Sequence, residues 1–356
     1  MVGIPCCPAC EGNDSRHRYT KFGLRLVQCR ACGLVFANPR LSPEEIHQRY
    51  SPDYFWKEYL PSLGVHDGQY DLPYFDKRHG TMLALIKRHA PRRGRLLEVG
   101  AGAGFFLKSA ERAGWEVAGV ELSGEAVEFA INRLDLDVRL EQAEQMTFPP
   151  PLFDVVVMFD VVEHLLDPLV SLQRVRGALR PGGVLVISTP NFNALTRFAL
   201  GADWAALSPA EHLWNFSAHS LDRMLRRAGF PSVTVERKYR GFGVFETMNP
   251  RYTHAPSALR NKAYNAFVCT IGRVFFRQVQ RAGFADTLIA IANSKGDALL
   301  FSTYYGGSGS DAAAMLVAAS AKIGGEASAP AEVNFARKTW VLRQWRDAPQ
   351  RAAENR

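Results

Sequence analysis

A glycine-rich stretch in the first third of the chain constrains the fold more than any other feature. Residues 95–107 read RLLEVGAGAGFFL, in which a short apolar run ends in an acid and three glycines follow at every second position. The pattern predicts a buried strand, a tight turn and the start of a helix. Glycines let a ligand approach the backbone without a Cβ in the way, and the N–H groups at the helix start would face that ligand.

A second acid follows at the distance that a nucleotide site requires. Residues 115–120 predict a strand that ends at Glu121, where a doubly wound sheet holds ribose hydroxyls. Because position 105 is Phe, the turn is G-x-G-x-G rather than the dinucleotide fingerprint G-x-G-x-x-G. A nicotinamide enzyme, or an α/β core without a cofactor, is the alternative interpretation. Later strands alternate with helices, which favours an α/β fold with a parallel sheet covered on both faces.

Four motifs together carry a family resemblance. The acidic glycine turn, Glu121, the strand FDVVVM at 153–158 and the segment LRPGG at 179–183 occur in one order. They resemble the class I S-adenosylmethionine-dependent methyltransferases over roughly residues 75–240. The resemblance implies a doubly wound, Rossmann-like sheet and S-adenosylmethionine as cofactor. The cofactor-binding residues that it implies are Glu98, Gly100, Ala101, Gly102, Gly104, Glu121, Leu122, Gln142, Ala143, Phe159 and Asp160. Gln142 stands where the family usually has Asp, and its amide oxygen can still accept a hydrogen bond from adenine.

Two further motifs suggest catalytic histidines. FDVVEHL at 159–165 resembles a stretch of ubiquinone-type O-methyltransferases and glycan-modifying relatives, and EHLWNF at 211–216 resembles their His-Leu-x-x-Phe segment over the acceptor pocket. A hydroxyl acceptor must lose a proton, which a histidine commonly takes. The resemblance therefore makes His164 and His212 candidate bases. For each, a histidine that only bonds a nearby backbone carbonyl is the alternative.

The cysteines predict a metal site near the N-terminus. Five of the six cysteines fall in the first 32 residues, and four of them form two C-x-x-C knuckles separated by 18 residues. This spacing is typical of a zinc ribbon in a reducing compartment, with strands at 25–28 and 34–36. Four thiolates leave no open position, so the zinc would be structural. The predicted ligands are Cys7, Cys10, Cys29 and Cys32, and Cys6 could replace Cys7.

We expect four parts in the chain. Residues 1–40 form the zinc ribbon, 41–92 a helical and aromatic connector, 93–303 the methyltransferase domain, and 304–356 a flexible linker with a basic tail. The methyltransferase domain includes an insertion at 190–216 and a helix at 257–281. That helix interleaves basic and apolar residues, so peripheral contact with an anionic membrane is one interpretation and a solvated basic face is the other.

Charge and motifs together narrow the substrate class. The net charge of +8 is compatible with a nucleotide-sugar, RNA or a membrane surface as partner. A zinc ribbon ahead of this core resembles sugar methyltransferases, so we expect a sugar, glycan or natural-product hydroxyl as acceptor. Carbon methylation of a nucleotide-sugar and RNA base methylation are alternatives. Base methylation favours an Asn-Pro-Pro-Tyr pattern where this chain reads FDVV at 159–162. No apolar run long enough to span a membrane and no secretory signal is seen, which predicts a cytoplasmic enzyme.

Overall fold

The structure is a computed structural model that describes residues 1–148, 153–204, 206–238, 278, 282 and 284–295. The expected helix at 257–281 and the expected linker at 304–356 lie outside the described residues, apart from residue 278. Within these ranges, every helix is too short or too polar to cross a bilayer.

The strands are β1 (Ser15–Lys21), β2 (Leu24–Cys29), β3 (Val35–Ala37), β4 (Arg95–Val99), β5 (Glu116–Glu121), β6 (Val138–Leu140), β7 (Phe153–Phe159), β8 (Leu179–Pro190), β9 (Trp214–Asn215), β10 (Ser232–Lys238) and β11 (Thr287–Asn293). The α-helices are α1 (Pro43–His47), α2 (Pro52–Tyr54), α3 (Leu60–Ser62), α4 (Leu72–His89), α5 (Phe105–Arg112), α6 (Gly124–Leu134), α7 (Pro168–Ala178), α8 (Leu195–Leu200) and α9 (Ala218–Arg227).

A seven-stranded sheet confirms the predicted α/β class. Its order is β10-β11-β8-β7-β4-β5-β6. The strands from β4 to β8 pair in parallel, and β11 runs antiparallel to both of its neighbours. Chain order reverses direction between β4 and β7, which is the switch point where open α/β sheets bind ligands beyond the carboxyl ends of their strands.

Local sequence explains why strands end and helices begin at the carboxyl edge of the parallel strands. The centre of β7 is fully buried, as expected for a strand covered on both faces. Ser123 caps α6 and Asp167 caps α7, each accepting backbone N–H groups of the first turn. Both helices therefore begin just after the strand ends that face the switch point. The third parallel strand is short, since only Val138–Leu140 pairs with β5.

A second sheet joins the N-terminal segment to the expected insertion. Its order is β1-β2-β3-β9, so residues from the insertion complete the sheet of the ribbon. β3 pairs with β9 through Val35 opposite Asn215 and Phe36 opposite Trp214. Buried residues of the ribbon and of the large sheet belong to one continuous core cluster. The ribbon is thus packed against the large sheet.

The connector is more ordered than its sequence suggests. Its aromatic-rich start forms consecutive short helical turns. Ser51 caps α2, a π-helix follows at Phe55–Tyr59, and α3 continues it. Phe55 is fully buried against the ring of Phe129 on α6. Burial of the aromatic rings on the large sheet stabilises these short helical turns, whose pattern is too brief to be recognised by periodicity.

Candidate functional site

The glycine turn between β4 and α5 has the open backbone that its sequence predicts. Gly100, Gly102 and Gly104 all have positive φ angles, from 54° to 82°. A Cβ on Gly102 would lie 2.0 Å from the hydroxyl oxygen of Tyr59. Tyr59 comes from the π-helix, and its hydroxyl accepts a hydrogen bond from the backbone N–H of Ala103 at 3.4 Å. The turn is therefore a cradle that a side chain would fill, and one tyrosine lies over it.

Glu121 lies beside this turn at the carboxyl end of β5. Its carboxylate accepts the backbone N–H of Gly102 at 2.8 Å, of Leu122 at 2.8 Å and of Ser123 at 2.9 Å. A carboxylate offers about four acceptor positions. One position therefore remains, and a ribose hydroxyl could fill it. Burial raises the pKa of Glu121, and the three amide contacts oppose that increase.

Glu98, at the end of β4, places a second acid under the turn. It is only 4 % exposed, and its Oε2 atom has no hydrogen-bond partner among the described residues. Burial, and then the negative charge of Glu121, hold the pKa of Glu98 well above its usual range. A buried carboxylate without compensation is costly. S-adenosylmethionine carries a sulfonium and an ammonium group, so its positive charges fit the orphaned oxygen and the acidic pair.

The other predicted cofactor residues lie around the same strand ends. Ala101 is buried inside the turn, and Leu122 is half-buried after Glu121. Gln142 and Ala143 follow β6 in a segment that the bond from Glu141 N–H to the Glu121 carbonyl ties to β5. Phe159 contacts the ring of Phe106 at 4.8 Å between ring centroids, and Asp160 accepts a bond from the Ser188 hydroxyl at 3.0 Å. These contacts place the set at one edge of the sheet.

The two candidate bases, 48 residues apart in sequence, are in contact. The rings of His164 and His212 lie 4.6 Å apart between centroids, nearly perpendicular. A carboxylate oxygen of Glu163 and one ring nitrogen of each histidine lie within 4.8 Å of one another. Nδ1 of His212 is 2.8 Å from the carbonyl oxygen of Ala206. A carbonyl only accepts, so Nδ1 carries the proton and the basic lone pair is on Nε2.

A small cleft adjoins His164. It is lined by residues of the connector and of both histidine-bearing segments: Ile46, Arg49, Tyr50, Tyr54, His164, Ala210 and Glu211. Arg49 and Glu211 form an ion pair at 2.6 Å across it. Burial, and then the charge of Glu121, raise the pKa of Tyr50. The rings of Tyr54 and Tyr59 are 6.3 Å apart, so aromatic residues connect the cleft with Gly102.

Sequence reasoning did not single out several of these residues. Glu163 was part of a quoted motif, but no role was assigned to it. Tyr50, Tyr54 and Tyr59 belong to an aromatic-rich segment that we interpreted mainly as packing between domains. Phe55 does pack in this way, whereas Tyr50 and Tyr54 line the cleft. The available signal was the i, i+4 spacing of Tyr50 and Tyr54, which places two residues on one side of a helical turn.

The four predicted zinc ligands form one cluster. Sγ of Cys7 is 3.5 Å from Sγ of Cys32, and Sγ of Cys10 is 3.5 Å from Sγ of Cys29. All four sulfur atoms lie within 4.8 Å of one another. Tetrahedral zinc with bonds of about 2.3 Å would separate its sulfurs by about 3.8 Å, so the cluster fits that ion. Cys6 is exposed and outside the cluster.

Comparison with known families identifies the core of the chain. Residues 74–235 match the family model described as "Methyltransferase domain". The matched residues include the glycine turn, Glu121 and both histidines. A ubiquinone biosynthesis O-methyltransferase from Cereibacter sphaeroides is 33% identical over 150 residues, which are 39% of this chain and 61% of that protein. Another from Bradyrhizobium diazoefficiens is 35% identical over 131 residues, which are 34% of this chain and 51% of that protein.

Solved structures of methyltransferases are similar to this chain at lower sequence identity. A phosphoethanolamine N-methyltransferase 2 from Haemonchus contortus has a TM-score of 0.48 at 19% identity, covering 74% of this chain and 62% of that one. The chain spans about three fifths or less of the length of the curated relatives named above. Residues 74–235 thus match a methyltransferase domain, and the parallel strands within them form a doubly wound sheet.

Proposed function

We propose that this protein transfers a methyl group from S-adenosylmethionine to a hydroxyl of a small polar acceptor, and that the acceptor is a sugar, glycan or natural-product intermediate. The observation that carries the proposal is the contact between His164 and His212 beside a cleft that His164, Tyr50 and Tyr54 line. The name O-methyltransferase of the curated relatives supports oxygen as the acceptor atom.

The cofactor would lie on the glycine turn. Gly100, Gly102 and Gly104 give it access to the backbone, Glu121 receives a ribose hydroxyl, and Glu98 with Glu121 compensates its positive charge. When bound, S-adenosylmethionine supplies an electrophilic methyl group on a sulfonium. The protein then has to hold the acceptor within near-attack distance, about 3 to 3.5 Å, and remove its proton.

The transfer balances as an in-line displacement. The acceptor O–H bond breaks and the proton goes to the histidine pair, from which it passes to solvent. The oxygen lone pair forms the O–CH₃ bond, and the electrons of the S–CH₃ bond stay on sulfur as a neutral thioether. Because the leaving group carries no charge, no group is required to stabilise an anion there. His212 suits the base role, because its Nδ1 contact with Ala206 leaves Nε2 as the accepting atom.

Zinc would hold the ribbon together rather than take part in the chemistry. Four thiolates complete a tetrahedron and leave no position for a substrate. The domain boundaries at 1–40, 41–92 and 93–303 also remain our proposal, with one addition. β9 from the insertion belongs to the sheet of the ribbon, so the ribbon and the acceptor side of the site would behave as one structural unit.

The test is a methyl-transfer assay on the full chain with labelled S-adenosylmethionine and three acceptor groups: nucleotide-sugars, free sugars and small phenols. With an accepted substrate, His164→Ala or His212→Ala should lower turnover by about 100- to 10,000-fold, while the affinity for S-adenosylmethionine stays unchanged. His219→Ala is the matched control, because His219 is an exposed histidine on α9. If both variants keep turnover within a few-fold of the unchanged chain, the base lies elsewhere.

A further inference from the structure

Cations and aromatic rings alternate on a surface that the ribbon, the insertion and the segment before β11 form together. We call it the aromatic-basic surface, and its members are Arg18, Tyr19, Arg197, Phe198 and Phe284. The guanidinium carbon of Arg18 lies 5.5 Å from the centre of the Tyr19 ring, and Arg197 donates to the Tyr19 hydroxyl at 3.3 Å. The guanidinium carbon of Arg197 lies 3.7 Å from the centre of the Phe198 ring, and the rings of Phe198 and Phe284 are 6.0 Å apart. Residues far apart in sequence thus form one continuous surface.

Two rings of this surface are exposed although they are apolar. Phe198 is 54% exposed and Phe284 is 42% exposed. Single exposed apolar residues need no explanation, whereas adjacent ones mark a contact site for another molecule. The neighbouring Arg197 is buried, and its Nε–H donates to the carbonyl of Phe192 at 2.6 Å. A fixed guanidinium therefore holds the Phe198 ring in place at the surface.

The ribbon side of this surface carries positive charge. The sequence from Ser15 to Pro43 contains no Asp or Glu, and β1 exposes Arg16 and Arg18. Cations on an edge strand also discourage pairing with other chains, and β1 is the edge of its sheet. That role does not require two exposed phenylalanine rings beside the cations. The combination fits a ligand that has apolar faces and also carries negative charge.

The ribbon hairpin that bears these cations adjoins the part of the insertion that holds His212. The amine of Lys21 donates to the carbonyl of Trp204 at 3.0 Å, and the carbonyl of Ala206 accepts Nδ1–H of His212 at 2.8 Å. Two residues of chain span at most about 7 Å, so the Lys21 amine lies within about 13 Å of the His212 ring. One extended acceptor is long enough to contact both, whereas a single sugar is not.

We propose that the aromatic-basic surface binds an acidic glycan chain, and that the end of this chain is the methyl acceptor. Sugar rings present C–H faces that pack on the electron-rich faces of aromatic rings. Uronate or phosphate groups of the chain would accept hydrogen bonds from exposed guanidinium groups. The role of the glycan as acceptor rests on the proposed function, whereas the binding surface rests on the contacts given above.

Two other kinds of occupant fit this surface less well. The rings of Phe198 and Phe284 are nearly perpendicular, at 78°, so they cannot both stack on successive parallel bases of a nucleic acid strand. The helix that carries Phe198, α8, has six residues. Many helices that lie in a bilayer interface have about 20 to 30 residues. Sugar rings turn relative to one another at each linkage, so a glycan can contact two rings in different orientations.

The test measures binding by the full chain without methyl transfer. Calorimetry compares acidic hexasaccharides of polygalacturonate and hyaluronan with the neutral maltohexaose. An acidic hexasaccharide should bind at least about tenfold more tightly than maltohexaose, because only it accepts charge-assisted hydrogen bonds, and salt should weaken its binding. Phe198→Ser and Arg18→Ser should each weaken this binding by at least about fivefold. Ile131→Ser and Arg92→Ser, at exposed positions elsewhere, are the matched controls, and thermal melting confirms that all variants are folded.

The outcomes separate this proposal from the proposed function. Equal affinity for acidic and neutral hexasaccharides, or unchanged affinity in both Phe198→Ser and Arg18→Ser, overturns the glycan surface even if small acceptors are methylated. Tighter binding of a uridylate hexamer, or of vesicles of phosphatidylcholine and phosphatidylglycerol, assigns the surface to another partner and also overturns it. Binding of an acidic hexasaccharide without transfer to any acceptor keeps the surface and rejects the proposed function. Where an acidic hexasaccharide is methylated, Arg18→Ser should raise its KM and leave kcat and the affinity for S-adenosylmethionine unchanged.

Discussion

Phe36 of the ribbon lies directly opposite Trp214 in an antiparallel pair, with their ring centroids 5.8 Å apart. The next residue, Ala37, donates its backbone N–H to the carbonyl of Leu213 at 3.0 Å. Trp214 in turn donates its indole N–H to the carbonyl of Leu165 at 2.6 Å. Hydrogen bonds therefore run from the ribbon to the residue that follows His212 and to the residue that follows His164.

Removal of zinc should consequently affect the acceptor side of the site before the cofactor side. We expect a chelator, or Cys29→Ser, to lower turnover and to speed amide exchange at residues 212–216. Affinity for S-adenosylmethionine should stay unchanged, because the glycine turn and Glu121 belong to the other sheet. Exchange mass spectrometry and calorimetry would measure the two effects. A parallel loss of cofactor affinity and turnover would contradict this separation.

Trp214→Phe should destabilise the fold by about 1–3 kcal/mol, because the buried carbonyl of Leu165 would lose its donor. The change also removes the stacking of Arg40, whose guanidinium carbon lies 5.6 Å from the centre of the indole ring. Urea unfolding would give the free-energy difference. Trp56→Phe is the matched control, since Trp56 is 46% exposed. A loss no larger than that of the control would show that the indole contact contributes little.

The sequence predicted the parts of this fold that depend on residues close together in the chain. The buried strand that carries Glu98 and the glycine turn after it are local patterns, and the structure contains both. Such patterns involve neighbouring residues, whose spacing in the sequence indicates the local secondary structure. The family resemblance then implied a doubly wound sheet, which no single motif predicts.

The pairing of β3 with β9 could not be predicted from a local sequence pattern. It joins residues about 180 positions apart, and β9 has only two residues, Trp214 and Asn215, too few to show any period. The contact of His164 with His212 depends on this pairing, so the sequence suggested both histidines but not their proximity. Tyr59 was missed for a related reason, because the π-helix that brings it to Gly102 has no sequence signature of its own.

Gly102→Val should abolish binding of S-adenosylmethionine. The φ angle of 54° at Gly102 is strained for a β-branched residue, and a Cβ would meet the Tyr59 hydroxyl oxygen at 2.0 Å. Glu121→Ala should weaken binding sharply by a different route, through loss of the acceptor of a ribose hydroxyl. Calorimetry would measure both, with thermal melting to confirm folding. Gly177→Val is the control for adding side-chain bulk at a glycine, since a Cβ there meets nothing within 4 Å. Unchanged affinity in both Gly102→Val and Glu121→Ala would contradict the cofactor site.

Cofactor binding should strengthen as pH rises, because burial raises the pKa of both Glu98 and Glu121. The folded chain without cofactor keeps protons that an ordinary glutamic acid, with a pKa of about 4.3, has already lost. Stability therefore falls as pH rises from that ordinary value through the raised ones, because the unfolded chain binds fewer protons there. The positive charges of S-adenosylmethionine favour the ionised carboxylates, so binding releases protons within the same window and affinity levels off above it.

Glu98→Gln separates this effect from others that depend on pH. Without the Glu98 carboxyl, the affinity should rise less steeply with pH, and calorimetry in buffers of different ionisation enthalpy should record fewer protons released on binding. The same substitution should raise the free energy of unfolding above the window, because a buried charge without a partner at Oε2 is replaced by a neutral amide. Glu128→Gln, on the exposed face of α6, is the matched control and should change neither quantity. If the affinity of the unchanged chain is independent of pH, cofactor binding does not change the protonation of Glu98 and Glu121. That result would contradict the charge-compensating role of Glu98.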